Sequence, residues 1–181
     1  MIKKILPLVN WFRVGLAIAL ATTSLIGLFG CAASPSVAWK SQNALPESVV
    51  TQIISDYTKA DPEPIRSQLK VWQVKGSQNN RLAIVNFNHP DLCGAWGCLY
   101  VGLWMQGDSL VKPVFEHYLD PHVPPERQLF TPLSKEQTEP QPLPCVRTWQ
   151  PAIKGYFKRL DLCFNRSNED YQVKRSSTEA I

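Results

Sequence analysis

Four cysteines beyond residue 31 constrain this 181-residue chain more than any other feature: Cys93, Cys98, Cys145 and Cys163. An even set in an oxidising compartment holds pairs of residues side by side whatever core forms around them. The compartment is set by the leader. Lys3, Lys4 and Arg13 make it basic, and Val14 to Phe29 is an uncharged apolar run of sixteen residues. Such a segment is an export address rather than part of the fold. The run is shorter than the roughly 20 residues that cross a bilayer as a helix, which argues against an uncleaved anchor.

Four cysteines allow three connectivities. Antiparallel register favours Cys93–Cys98 with Cys145–Cys163. Pairing Cys145 with Cys163 centres the turn on Lys154, beside Gly155, a residue suited to turns. The same register sets Arg147 opposite Asp161 and Val146 opposite Leu162, so opposite charges meet and like faces like. A bridge across that loop contributes about 3 kcal/mol and the short Cys93–Cys98 ring about 2 kcal/mol. A metal reading of Cys93-x4-Cys98 needs reduced thiols and is disfavoured, and the spacing is not a CxxC redox pair.

Leu28-Phe29-Gly30-Cys31 resembles the lipobox of bacterial lipoprotein precursors, with Phe29 where the family carries a small residue. The resemblance implies cleavage before Cys31, a diacylglyceryl thioether on its sulfur and a third acyl chain on the new amino terminus. Residues 1–30 are then the signal and 31–44 a lipidated tether, with the domain facing the periplasm or an equivalent lumen. The competing expectation is a soluble secreted protein cleaved after Ala38, since Ser36-Val37-Ala38 places small residues at both required positions. A single acyl chain binds membranes with only about 10⁴ M⁻¹, whereas two or three hold firmly.

Charge excludes one class of partner. Removing Lys3, Lys4 and Arg13 takes Lys+Arg from 19 to 16 against 15 acids, a net of about +1. A nucleic-acid binder needs a basic face, so none is expected. The remaining chain of about 150 residues suits one domain with its own core.

Residues 45–175 supply the elements of that domain. Pro46 and Glu47 open a helix carrying Val49, Val50, Ile53, Ile54 and Tyr57 on one face, and Asp61-Pro62 ends it. Gln68–Lys75 and Arg81–Asn88 flank a polar turn and predict a hairpin. Cys98–Gln106 alternates Leu99, Val101, Leu103 and Met105 with Tyr100, Gly102 and Trp104. Neither face is polar, which predicts a central strand covered on both sides. Leu110–Tyr118 contains Pro113, which cannot donate to a ladder and predicts an edge strand. Residues 119–144 hold seven prolines in 26 positions and predict a long loop that docks back at Leu129-Phe130. The Cys145–Cys163 hairpin follows, then Tyr171–Lys174 as a further strand and residues 176–181 as a frayed tail. The expected fold is α+β: one N-terminal amphipathic helix on a mostly antiparallel sheet of about 6–7 strands, with a proline-rich loop before the last hairpin. The segments LPESVVTQII…QLKVWQV, CGAWGCLYVGLW and LPCVRTWQ…LDLCFN look similar to exported cyanobacterial proteins of uncharacterised function, which implies the same fold and compartment and no activity.

Chemistry is sparse. The chain lacks G-x-S-x-G, HExxH, a P-loop and the dinucleotide fingerprint, so no catalytic residue and no cofactor is assigned. His89-Pro90-Asp91 copies the tripeptide of co-chaperone J-domains but follows a strand, and it is read as a turn. Glu116, His117, Asp120 and His122 are the weak candidate metal ligands, bunched where a strand meets a loop. Partner-binding candidates are Trp96, inside the Cys93–Cys98 ring, and the last hairpin tip with Lys154, Tyr156, Phe157, Lys158 and Arg159. The sequence therefore predicts a membrane-tethered, non-catalytic module for a protein or envelope partner. The alternative is a small exported metal-assisted enzyme acting on envelope material.

Overall fold

The computed structural model describes residues 38–124, 127–133, 141–153 and 155–180. The signal segment, Cys31 and Lys154 lie outside the described residues. Among the described residues the architecture is mostly antiparallel β, in two sheets with two short α-helices. This overturns the expected α+β arrangement of one helix on a single sheet. The physical reason lies in the central strand, whose two apolar faces need two different layers.

The first sheet contains β1 (Lys40–Ser41), β2 (Lys70–Lys75), β3 (Asn80–Asn86), β4 (Cys93–Gly94), β5 (Gly97–Gln106) and β6 (Ser109–Leu119). Its order runs β1-β2-β3-β5, with β6 on the far side of β5. At Cys98 one side of β5 is taken by Leu119 of β6, so Cys93 of β4 continues the position that β3 leaves at Asn86. β1 includes residues expected in the tether.

One face of this sheet is covered by helices α1 (Glu47–Tyr57) and α2 (Pro62–Gln68). Val49, Val50, Ile53 and Ile54 of α1, with Ile65 of α2, pack on Val71, Val85, Val101 and Leu103. The sequence marks the start of α2: Asp61 is its N-cap, accepting from the Glu63 amide at 3.1 Å, and Pro62 takes the first helical position. Asp61-Pro62, read as a helix stop, is thus also a helix start.

The opposite face is covered by the second sheet: β7 (Phe130–Pro132), β8 (Val146–Pro151), β9 (Tyr156–Asn165) and β10 (Asp170–Ala180), in the order β10-β9-β8-β7. Phe130, Val146, Leu160, Leu162, Phe164 and Tyr171 meet Trp72, Leu82, Ile84, Tyr100 and Phe115. Rings dominate this layer, with Phe130 within 5.5 Å of Tyr100 and Phe164 within 5.3 Å of Trp104, centroid to centroid. Leu129 and Phe130 are buried and carry the chain from the first sheet into the second. Residues 176–180 pair with Tyr156–Leu160, which corrects the expected frayed tail. β6 is an edge strand, bulged at Val111 and Val114 and carrying Pro113, features that discourage pairing with a further chain.

Gly102 shows how closely β5 and β6 pack within the first sheet. It stands opposite Phe115, and a Cβ there would lie 2.2 Å from the Phe115 ring. Gly102→Ala is expected to lower stability by about 1–3 kcal/mol through overpacking, read from the urea unfolding midpoint. An unchanged midpoint would show that the ring has room to move aside.

Candidate functional site

The residues that reach solvent in a fixed geometry sit at one end of the first sheet. Cys93 pairs with Cys98 and Gly94 with Gly97, leaving Ala95 and Trp96 as a two-residue tip. A disulfide joins Cys93 to Cys98 across that pair. Upstream, the short 3₁₀ turn Pro90–Leu92 has His89 as its N-cap and buries Leu92, so the loop is anchored on both sides. His89-Pro90-Asp91 is therefore a turn. Gly97 has φ +102°, and a Cβ there would fall 2.2 Å from the Leu119 carbonyl oxygen. Only glycine suits that position, and its backbone turns Trp96 outward. Trp96 is 86% exposed.

Tyr118 was not singled out from the sequence. It stands opposite Leu99 on β6, at the same end of the sheet as the tip, and is 52% exposed. Its signal was available: the residue at this position of an amphipathic edge strand is aromatic where a polar one is expected.

The second candidate surface divides. Tyr156 and Lys158 are exposed, and Ile153 adds an exposed apolar side chain at the same tip. Phe157 is buried, and Arg159 donates to Glu179 at 2.7 Å. The register of this hairpin is Val146 opposite Leu162 and Arg147 opposite Asp161, with a Cys145–Cys163 disulfide at its base. Arg147 grips Asp161 by two bonds, at 2.7 and 3.1 Å. That fork holds the buried carboxyl below its ordinary range.

The weak metal candidates do not come together. Strand alternation sends Glu116 and His117 to opposite faces of β6. Glu116 stands opposite Val101 on the helical side and accepts from the Tyr57 hydroxyl. Burial beside that carboxylate pushes the Tyr57 hydroxyl well above its ordinary range. His117 faces the second sheet, with its ring 5.8 Å from that of Phe115. Asp120 and His122 form a local pair at 2.8 Å. No group of three or more His, Cys, Asp or Glu able to hold a metal occurs among the described residues.

Two disulfides indicate an oxidising, exported environment. No helix among the described residues is long and apolar enough to cross a membrane. Compared with models of known families, with characterised proteins and with solved structures, the chain matches none.

Burial lowers the His117 pKa from its ordinary 6.5, against a smaller upward pull from Asp170. The unfolded chain therefore takes up this proton at a higher pH than the folded one. The His117 contribution to stability is expected to fall as pH drops from about 6.5 toward the folded value, and that contribution is constant on either side of the window. Urea midpoints measured across the window should show that slope in the natural protein and lose it in His117→Gln. An equal slope in both would assign the pH dependence elsewhere.

Proposed function

We propose that this chain is an exported lipoprotein, tethered to a membrane through Cys31, whose folded part is a non-catalytic binding module for a protein or envelope partner. The observation that carries the reading is Trp96, exposed on a hairpin tip that a disulfide and Gly97 hold in one shape. Tryptophan is among the residues most enriched at binding hot spots, and a rigid tip loses little conformational entropy on docking. Tyr118 widens the aromatic surface at the same end of the sheet.

The tether reading rests on the lipobox-like tetrapeptide and the leader before it. Trp39 lies eight chain steps beyond Cys31, a reach of at most about 28 Å, so an acylated Cys31 would keep the domain close to the headgroups. The metal-assisted enzyme is not retained, since its candidate residues point to different faces.

Two measurements test this. Intact mass of the protein purified from membranes should show a chain beginning at Cys31 with acyl mass added. A lipid-free chain beginning at Trp39 would remove the tether. Crosslinking in intact membranes should capture a partner that Trp96→Ala loses, with affinity lowered about 30-fold or more, as for a hot-spot residue. An identical set of crosslinked partners would exclude the tip as the binding site.

A further inference from the structure

The second sheet has one face in the core; on the other no further sheet or helix packs among the described residues, and Trp149, Phe157 and Asp161 there are buried among neighbouring side chains. Register places its outward residues in rows across β8, β9 and β10. The first row is Arg147, Asp161 and Arg175; the next is Trp149, Arg159 and Ser177; the third is Pro151, Phe157 and Glu179. Arg127 stacks over the Trp149 ring at 4.0 Å and reaches Glu179 at 3.4 Å, while Arg159 reaches the same carboxylate at 2.7 Å. Three guanidinium groups thus hold two carboxylates, Asp161 and Glu179, and with Arg175 beside them these six groups carry an excess of two positive charges.

The internal network uses three of these arginines. Arg147 forks onto Asp161, and Arg127 with Arg159 share Glu179. Arg175 is the remainder. It is exposed, it stands opposite an Asp161 whose two oxygens are already taken by Arg147, and it makes no direct ion pair among the described residues. Asp161 is 3% exposed, so it offers solvent no competing charge.

We infer that this arginine-bearing face docks an acidic, Asp/Glu-bearing segment of a protein partner, with the exposed Arg175, which bridges no carboxylate among the described residues, as its carboxylate-binding group. Charge complementarity selects the occupant, and the face already shows the chemistry it prefers, since both anions it holds are carboxylates on guanidinium groups, Asp161 in the Arg147 fork and Glu179 between Arg127 and Arg159. Geometry suits an extended segment: strands lie about 4.8 Å apart, and alternate residues along a strand about 6.8 Å apart, matching the spacing of alternate side chains on a bound peptide. The inference is independent of the Trp96 tip.

The test is anisotropy of a fluorescein-labelled decapeptide of alternating Glu and Ser, titrated with the protein purified from membranes. Its control carries Gln in place of Glu. The expected result is binding of the Glu peptide that weakens with added salt, no binding of the Gln peptide, and a loss of about tenfold in Arg175→Glu. Arg175→Gln removes the charge without adding one and keeps the test readable should Arg175→Glu fold poorly; a smaller loss is expected there. Trp96→Ala should bind the peptide as the natural protein does. Equal affinity of the natural protein and both Arg175 variants would overturn the inference, as would equal binding of the Gln peptide. Binding of vesicles of phosphatidylglycerol and phosphatidylcholine, without binding of the Glu peptide, would overturn it in favour of anionic lipid.

Discussion

Burial of the first sheet on both faces is the constraint on which the rest depends. Leu99, Val101, Leu103 and Met105 of the central strand face the helices, and Tyr100, Gly102 and Trp104 face the second sheet. Each large apolar side chain taken from water contributes about 1.5–3 kcal/mol, so a strand apolar on both faces cannot lie at a surface. One helix cannot serve both sides. A second layer must come from later in the chain, and the proline-rich stretch carries the chain to it. Phe130, Leu160 and Phe164 are therefore as necessary to the first sheet as its own hairpins.

The disulfides divide along the same plan. Cys93–Cys98 lies within the first sheet and Cys145–Cys163 within the second. Neither ties one sheet to the other. The bond between layers is the aromatic packing around Phe130 and Tyr100, while the Tyr171 hydroxyl, donating to the Pro144 carbonyl, pins the last strand to the segment leading into β8 within the second sheet's own side. Each bridge instead fixes a hairpin, one behind the exposed Trp96 and the other beneath the arginine rows.

Several parts were legible because short-range chemistry specifies them. The hairpin register followed from two cysteines and the Arg147–Asp161 pair, and the edge position of β6 followed from Pro113. Other parts carried no local signal. Alternation tells which side chains point inward but not which sheet they join, so the second sheet read as a continuation of the first. Residues 176–180 are polar or small on both faces, and such an edge strand shows no apolar period although β9 pairs with it throughout. Helix α2 hid behind Pro62 and Pro64, which look like breakers until Asp61 is seen as a cap. The separation of Glu116 from His117 was legible in principle, since neighbours in a strand face opposite ways. The arginine rows were not: Arg127 and Glu179 lie 52 residues apart.

Trp96 points outward because of the backbone. The Ala95–Trp96 tip is short, its flanking pair is locked by the disulfide, and Gly97 adopts a conformation that other residues rarely accept. The close approach of Gly97 to the Leu119 carbonyl leaves the tip little freedom to turn back onto the sheet. Leu92, a few residues away, is buried, so the same loop has access to the core and gives it to leucine rather than to the larger indole. A chain that buries Trp72 and Trp149 has the means to bury tryptophan. An indole held in water by a glycine and a disulfide forgoes apolar burial that a softer loop would recover, and that is the cost the proposed contact surface would carry.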